Sequence, residues 1–199
     1  MRGAEPERDG RWAFGARYIQ GQIDRATLRT TLTYRVVPRL SLGLEWNPLD
    51  SDLSPLANWL AVEETEIRPA LMLGTSSDRI GTPSGQSWYF TVSKSLERWI
   101  NLPVAPYIGG AYGTYDRKLR VIGGGNINFP KNASALIIYD GVHVHPTFSW
   151  TWKRNTFSFL LVELRHPGLA YSLAFDTPGG GRSKPRPANQ PFLRPGARR

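Results

Sequence analysis

The chain lacks cysteine and has no long apolar run. Without cysteine it can form neither a disulfide framework nor a thiolate metal site. No segment approaches the roughly 18 consecutive apolar residues that a transmembrane helix needs. Long segments with a helical hydrophobic period are also lacking, so the sequence favours neither a helical bundle nor an alternating α/β fold.

Aromatic residues, glycine and proline are abundant instead. The 199 residues include seven Trp, eight Tyr, 20 Gly and 16 Pro, and aromatics make up 12% of the chain. The mean hydropathy is nevertheless −0.36. This composition suits many short strands joined by turns. It also raises the question of which medium the Trp-, Phe- and Leu-rich strands face.

The net charge of +9 is concentrated at one end of the chain. Residues 176–199 hold six of the 25 basic residues and a single acid, whereas the preceding 175 residues carry 19 basic and 15 acidic ones. That balance is typical of an ordinary protein surface, so we predict no nucleic-acid partner. Five Pro and four Gly in the same end segment predict a disordered basic tail, and residues 1–10 are predicted to form a flexible leader.

Between these ends the hydrophobic period is two. In Leu28–Val36 most apolar residues occupy even positions, whereas Thr and Arg occupy the odd ones. The segment 40–47 repeats the pattern with Leu and Trp on one face. A strand places such a polar set on one side, whereas a helix would distribute it around its circumference.

Eleven extended segments follow from this pattern, and they predict one barrel domain over residues 11–175. Short connections such as "PR" at 38–39 and "PKN" at 130–132 predict an antiparallel up-and-down meander. The fourth segment is long enough to bend at Pro69 or to form two strands. The segments are 11–23, 26–37, 40–47, 57–76, 86–96, 104–116, 119–129, 133–140, 145–153, 156–165 and 168–175.

Both a soluble β-protein and a transmembrane barrel would alternate in this way. Many segments span about nine to eleven residues, the length that a tilted strand needs to cross a bilayer. Glycines such as Gly109 and Gly124 lie inside strands, which suits tight curvature or a narrow lumen. Several aromatics lie near strand ends, as in the girdles of membrane barrels. We therefore predict an all-β, antiparallel up-and-down barrel of about 10–12 strands of the transmembrane, outer-membrane type.

This architecture predicts which residues face the lumen and which aromatic residues face the lipid interface. Charges inside a small barrel usually pair and close it, whereas unpaired arginines lining water favour anions. The lumen-facing candidates are Arg17, Arg29, Arg35, Glu45 and Arg68. The candidate aromatics at the lipid interface are Trp46, Trp88, Trp150, Trp152, Tyr171 and Phe175.

Motifs that would carry catalysis are weak. His143 and His145, with Asp140 or Glu163, suggest a metal site but lack a third histidine. A hydrolase would need a Ser, His and acid set, for which the candidates are Ser149, Ser158, Ser172, His166 and Glu163. Any barrel of this size offers such sets by chance. We therefore predict no catalytic residue, no metal, no cofactor and no enzymatic activity.

Residues 67–175 resemble a group of uncharacterised bacterial outer-membrane β-barrel proteins that are loosely similar to the YjbH-like, exopolysaccharide-associated barrels. The matching segments are "RPALMLGTSSDRIGTPSGQSWYFTVSKSL" (68–96), "RVIGGGNINF" (120–129), "SALIIYDG" (134–141) and the closing strand "GLAYSLAF" (168–175). The resemblance implies a bacterial outer-membrane location, a lipid bilayer as partner, and barrel-assembly machinery that recognises the strand ending at Phe175. It implies no chemistry.

The sequence thus predicts a non-enzymatic, porin-like barrel with a structural role or a role in the passage or export of a small or polymeric solute. A soluble β-barrel that binds carbohydrate or lipid is the first alternative, and an outer-membrane hydrolase is the second. The N-terminal "MRGAEPERDGRW" has no apolar signal segment. Because eleven strands are an odd number, we expect either a divided fourth segment or a further upstream segment that holds a strand and the signal.

Overall fold

The computed structural model describes residues 11–176 and forms a closed antiparallel barrel of twelve strands. Each strand pairs with its neighbours in sequence, and β12 pairs with β1, so the predicted up-and-down barrel is confirmed. The strands are β1 (Trp12–Ile19), β2 (Leu28–Val37), β3 (Leu40–Asn47), β4 (Asp52–Val62), β5 (Ala70–Ser77), β6 (Gln86–Ser93), β7 (Val104–Gly113), β8 (Lys118–Phe129), β9 (Ala133–Tyr139), β10 (Val144–Trp152), β11 (Asn155–Val162) and β12 (His166–Phe175).

The seam between the first and last strands is continuous. It runs in register from Trp12 opposite Phe175 to Ile19 opposite Gly168. Beyond it, the backbone N–H of Arg11 donates to Asp176 Oδ1 at 2.9 Å. Closure leaves none of these twelve strands with an edge open to pair with another chain. The predicted leader 1–10, and the predicted tail apart from Asp176, lie outside the described residues.

The strand count is twelve because the fourth predicted segment divides. Residues 63–69 separate β4 from β5, which begins directly after Pro69, so the expectation of two strands there is confirmed. The interpretation of residues 52–56 as a connection was wrong. Pro55 lies within β4 opposite Leu44, a position that proline rarely occupies inside a sheet.

The connections form two ends, which we name by what lies there. The loop end holds connections 20–27, 48–51, 78–85, 114–117, 140–143 and 163–165. The terminal end holds Arg11 and Asp176 together with connections 38–39, 63–69, 94–103, 130–132 and 153–154. One-turn helices interrupt two connections: α1 (Asp24–Thr27) at the loop end and α2 (Glu97–Ile100) at the terminal end.

The strands are tilted relative to the barrel axis, as barrel closure requires. A row of residues in register begins with Trp12 at the terminal end of β1 and reaches Trp88 near the loop end of β6. The intervening partners are Tyr34, Leu42, Ala57 and Thr75. All of these residues lie on the outer face of the wall.

Glycines allow the strands to approach closely inside the barrel. A Cβ on Gly109 would lie 1.9 Å from the carbonyl oxygen of Phe90 on the neighbouring strand, which excludes any side chain at this position. Gly109 is opposite Thr91, and both lie on the lumen side of the wall. At this position the glycine is required by the close approach of the neighbouring strand's backbone.

Candidate functional site in the barrel lumen

The wall is apolar outside and largely polar inside. Among residues 11–176, 34 large hydrophobic side chains are exposed, whereas nine hydrophobic residues are buried. In β2, Leu32 and Val36 face outward, whereas Thr31 and Thr33 on either side of Leu32 face the lumen. The buried polar and charged residues are Arg25, Glu45, Asn47, Ser54, Asp78, Thr82, Ser87, Thr91, Ser93, Asn126 and His145.

Three of the predicted lumen residues come together. Arg17 on β1 is directly opposite Arg29 on β2, and Thr31, two residues further, is opposite Glu45 on β3. Arg29 Nη2 forms an ion pair with Glu45 Oε2. Glu45 is 1% exposed, so its carboxylate is shielded from bulk water.

Other groups hold Glu45 in place. Ser77 Oγ donates to Glu45 Oε1, and Asn47 Nδ2 lies 3.4 Å from the same oxygen. Asn47 Nδ2 also donates to Asp52 Oδ2 at 3.3 Å. The same Asp52 oxygen accepts a hydrogen bond from Ser54 Oγ at 3.3 Å. A buried carboxylate is stable only with such partners, because desolvation is otherwise costly.

A second buried arginine ties two connections together at the loop end. Arg25 in α1 is 4% exposed, and it donates from Nε to the carbonyl of Thr82 at 2.6 Å. Its Nη2 donates to Thr82 Oγ1 at 2.6 Å and to the carbonyls of Arg79 and Asp78 at 2.9 and 3.2 Å. We name this set the Arg25 latch. Sequence analysis missed it because its acceptors are mainly backbone carbonyls.

The predicted histidines form a network at the same end. His145 Nδ1 accepts the N–H of Glu163 at 3.1 Å, so the ring proton lies on Nε2, which meets Asp140 Oδ2 at 3.0 Å. His143 Nδ1 is 3.3 Å from Glu163 Oε1. Burial raises the pKa of Asp140, but hydrogen bonds from His145 and from the backbone of His143 and Val142 outweigh it, so the pKa lies below its usual value.

Both ring nitrogens of His145 are therefore occupied by protein groups. Within residues 11–176, no group of three or more His, Cys, Asp or Glu side chains is arranged to hold a metal ion. The hydrolase candidates do not form a triad either. Ser149 and Ser158 bond to each other at 2.8 Å inside the barrel, whereas His166 lies at the loop end of β12 beside Gly21.

The two remaining lumen candidates lie towards the terminal end. Arg35 is half-buried and lies an even number of residues from Arg29 in β2, the spacing of side chains on one face of a strand. The register between β2 and β3 shifts directly after it, between Arg35 and Val37. Arg68 lies in connection 63–69, where it is exposed. The expectation that Arg68 faces the lumen therefore does not hold, because the segment predicted to be one continuous strand turns there.

The predicted interface aromatics all lie on the outer wall. Trp46 and Trp88 are near the loop end, whereas Trp152 and Phe175 end their strands at the terminal end. Around the seam the rings contact one another: Trp12 stacks on Phe175 with centroids 6.4 Å apart, and its centroid is 4.7 Å from that of Tyr34. Trp150, Phe157 and Tyr171 form a similar outward row, with centroid distances of 6.4 and 5.3 Å.

No family model matches the chain, and no curated protein matches it. In the part of the chain that the structure describes, no helix has the length and apolarity to cross a bilayer.

Proposed function

We propose that this protein is a non-enzymatic, outer-membrane-type β-barrel that spans a lipid bilayer, with a structural role or a role in the passage of a small solute. The observation that carries the proposal is the inverted wall: of the 34 large hydrophobic side chains that are exposed among residues 11–176, 25 lie on the strands. Soluble monomers rarely expose contiguous apolar patches larger than a few hundred Å². A bilayer core would cover such a wall, and the aromatic rings near both ends suit its interfaces.

The soluble alternative requires the opposite arrangement. A soluble carbohydrate- or lipid-binding barrel would direct its aromatics inward around a ligand. In this chain Trp46, Trp88 and Trp150 are between 46% and 53% exposed on the outside. The lumen instead carries the Arg29–Glu45 pair and several buried Ser, Thr and Asn side chains.

The lumen suits small solutes better than large ones. Tyr107 faces inward and is 8% exposed, and Tyr89 on β6 reaches over Gly74 of β5 to donate to Asn58 Oδ1 on β4 at 2.5 Å. At the loop end, the Arg25 latch holds α1 against connection 78–85. These side chains narrow the lumen, which favours a structural role or selective passage over open flow.

Refolding separates the membrane and soluble interpretations. The full chain is diluted from denaturant into detergent micelles and, separately, into plain buffer, and far-ultraviolet circular dichroism and heat-modifiable gel mobility are recorded. The proposal predicts a β spectrum and a mobility shift in detergent, with aggregation in buffer. A monomeric, folded β-protein in buffer alone would contradict it.

A matched pair of variants sharpens the test. Phe148 is 52% exposed at the centre of β10. We expect Phe148→Arg to reduce insertion into lipid vesicles, because a lipid-facing arginine at mid-depth costs about 2–4 kcal/mol. Phe148→Leu should insert like the unmodified chain. If Phe148→Arg instead inserts normally, or makes the chain soluble and folded, this face does not contact lipid.

A further inference from the structure

The three arginines in the loop-end half of the interior differ in their partners. Arg25 donates to three backbone carbonyls and a hydroxyl, and Arg29 pairs with Glu45. Arg17 has no such partner: its Nε is buried without a hydrogen bond, and within residues 11–176 no carboxylate forms an ion pair with it. Buried donors of this kind normally have an acceptor.

The charges around Arg17 do not balance locally. Arg17 is directly opposite Arg29, and like charges in that position repel. The buried Nε of Arg29 also lacks a hydrogen-bond partner, although its Nη2 binds Glu45. Two guanidinium groups therefore share one carboxylate inside the barrel. An anion in the lumen would supply the second negative charge and accept from the free donors.

Mostly small residues flank Arg17 on the lumen side of the wall. On its other side, Arg17 is opposite Ala170 of β12. The lumen-side neighbours of this pair along the two strands are Gly15, Ile19, Gly168 and Ser172. Arg17 itself is half-buried. Only Ile19 among these four neighbours is large, and the Arg17 Nε beside them has no acceptor.

We propose that Arg17 and Arg29 form a lumen site for a small oxyanion, either a phosphate or the carboxylate group of an acidic solute. Arginine suits this ligand because its planar fork donates two parallel hydrogen bonds to one oxyanion. Glu45 holds Arg29 from the opposite side and leaves part of its fork available. The inference that the transported solute is an anion rests on the proposed passage role. Binding of an anion by Arg17 and Arg29 requires only that the barrel folds.

Titration of the refolded full chain tests the site. Inorganic phosphate and, in a second arm, acetate are titrated at constant ionic strength, with binding heat and thermal midpoint as readouts. We expect saturable binding to one site and at least about tenfold weaker binding by Arg17→Gln, which loses a charged donor. Arg68→Gln makes the same charge change on an exposed loop and should bind like the unmodified chain. The tighter of the two anions identifies the preferred group.

A further comparison distinguishes loss of the anion site from misfolding of the variant. Without phosphate, Arg17→Gln should have a thermal midpoint at least as high as the unmodified chain, because repulsion from Arg29 is removed. If Arg17→Gln does not fold, Arg17→Lys keeps the charge but loses the fork, and it should bind phosphate more weakly. Equal affinity in the unmodified chain and the folded Arg17 variant would overturn the site, as would the absence of saturable binding of either anion.

The two proposals fail in different ways. A chain that stays soluble and outside lipid, yet binds phosphate through Arg17, would refute the membrane role and support the site. A chain that inserts into lipid but binds neither anion would refute the site and leave the membrane role standing.

Discussion

The Arg29–Glu45 pair in the loop-end half and the Arg98–Glu66 pair at the terminal end have the same chemistry but very different surroundings. In the loop-end half, Glu45 is 1% exposed in its pair with Arg29, which is 24% exposed. At the terminal end, Arg98 and Glu66 are 65% and 78% exposed. Burial, rather than the number of pairs, therefore decides which end depends on electrostatics.

Chain connectivity accounts for part of this contrast. Three of the five terminal-end connections, 38–39, 130–132 and 153–154, contain no more than three residues. Lys131 and Asn132 have φ values of 63° and 61°, the conformation of tight hairpin turns. Such turns need little support from side chains. The longer loop-end connections 20–27 and 78–85 are instead held together by the Arg25 latch.

We expect the largest effect from Glu45→Gln, which leaves Arg29 without its ion-pair partner. Loss of one member of a buried ion pair typically costs about 3–5 kcal/mol. The free energy of unfolding in phosphate-free detergent solution, followed by Trp fluorescence against denaturant, measures the loss. Glu63→Gln is the matched control at the terminal end, where Glu63 is half-exposed. If Glu45→Gln and Glu63→Gln lose the same free energy of unfolding, the buried and the exposed ion pairs do not differ in strength.

The second effect comes from the Arg25 latch. Arg25→Ala removes four donated hydrogen bonds and leaves buried acceptors in connection 78–85. We expect a loss of about 2–4 kcal/mol, because hydrogen bonds to charged groups are the stronger ones. Arg25→Lys retains the charge but not the fork, and it should recover only part of that stability. If backbone amide exchange in connection 78–85 were unchanged in Arg25→Ala, the latch would not hold this loop.

A third effect depends on pH. The pKa of Asp140 is lower in the folded chain than its usual value of about 4. The ionised carboxylate therefore stabilises the fold fully above about pH 4, and this contribution is lost as the pH falls through the lower folded-state value. We expect Asp140→Asn to cost about 1–2 kcal/mol at pH 7 and progressively less below pH 4.

Asp50→Asn is the control for this pH dependence. Asp50 lies exposed in connection 48–51 at the same end of the barrel. Its stability curve should run parallel to that of the unmodified chain between pH 7 and pH 3. A constant difference between Asp140→Asn and the unmodified chain over that range would show that the carboxylate charge is not the stabilising feature.

The strand pattern could be predicted from the sequence because alternation is a local property. Most strand segments, the antiparallel meander and the closure of the barrel follow from period-two residues and short turns. The beginning of β4 around Pro55 could not be predicted, since proline and the nearby aspartates normally indicate a turn. Only pairing with β3 on one side and β5 on the other keeps that segment extended.

The candidate site could be predicted only in part. Strand parity placed Arg17, Arg29 and Glu45 on one face, but their grouping depends on the register between β1, β2 and β3. The Arg25 latch joins residues more than 50 positions apart through backbone carbonyls, which leave no mark in the sequence. Arg68 was misplaced because alternation alone does not reveal where a long segment turns.

The smallest effect is expected at the terminal end. Arg39 Nη2 and Glu63 Oε2 are 2.9 Å apart, but Arg39 is 51% exposed and Glu63 is 32% exposed. Solvent screens this pair, so Arg39→Gln should change the free energy of unfolding by no more than about 0.5–1 kcal/mol, and by less at high salt. Its measurement beside Glu45→Gln in the same detergent compares the two ends directly. A loss from Arg39→Gln as large as that from Glu45→Gln would mean that exposure does not control the strength of these pairs, and that the terminal end depends on more than its turns and aromatic rings.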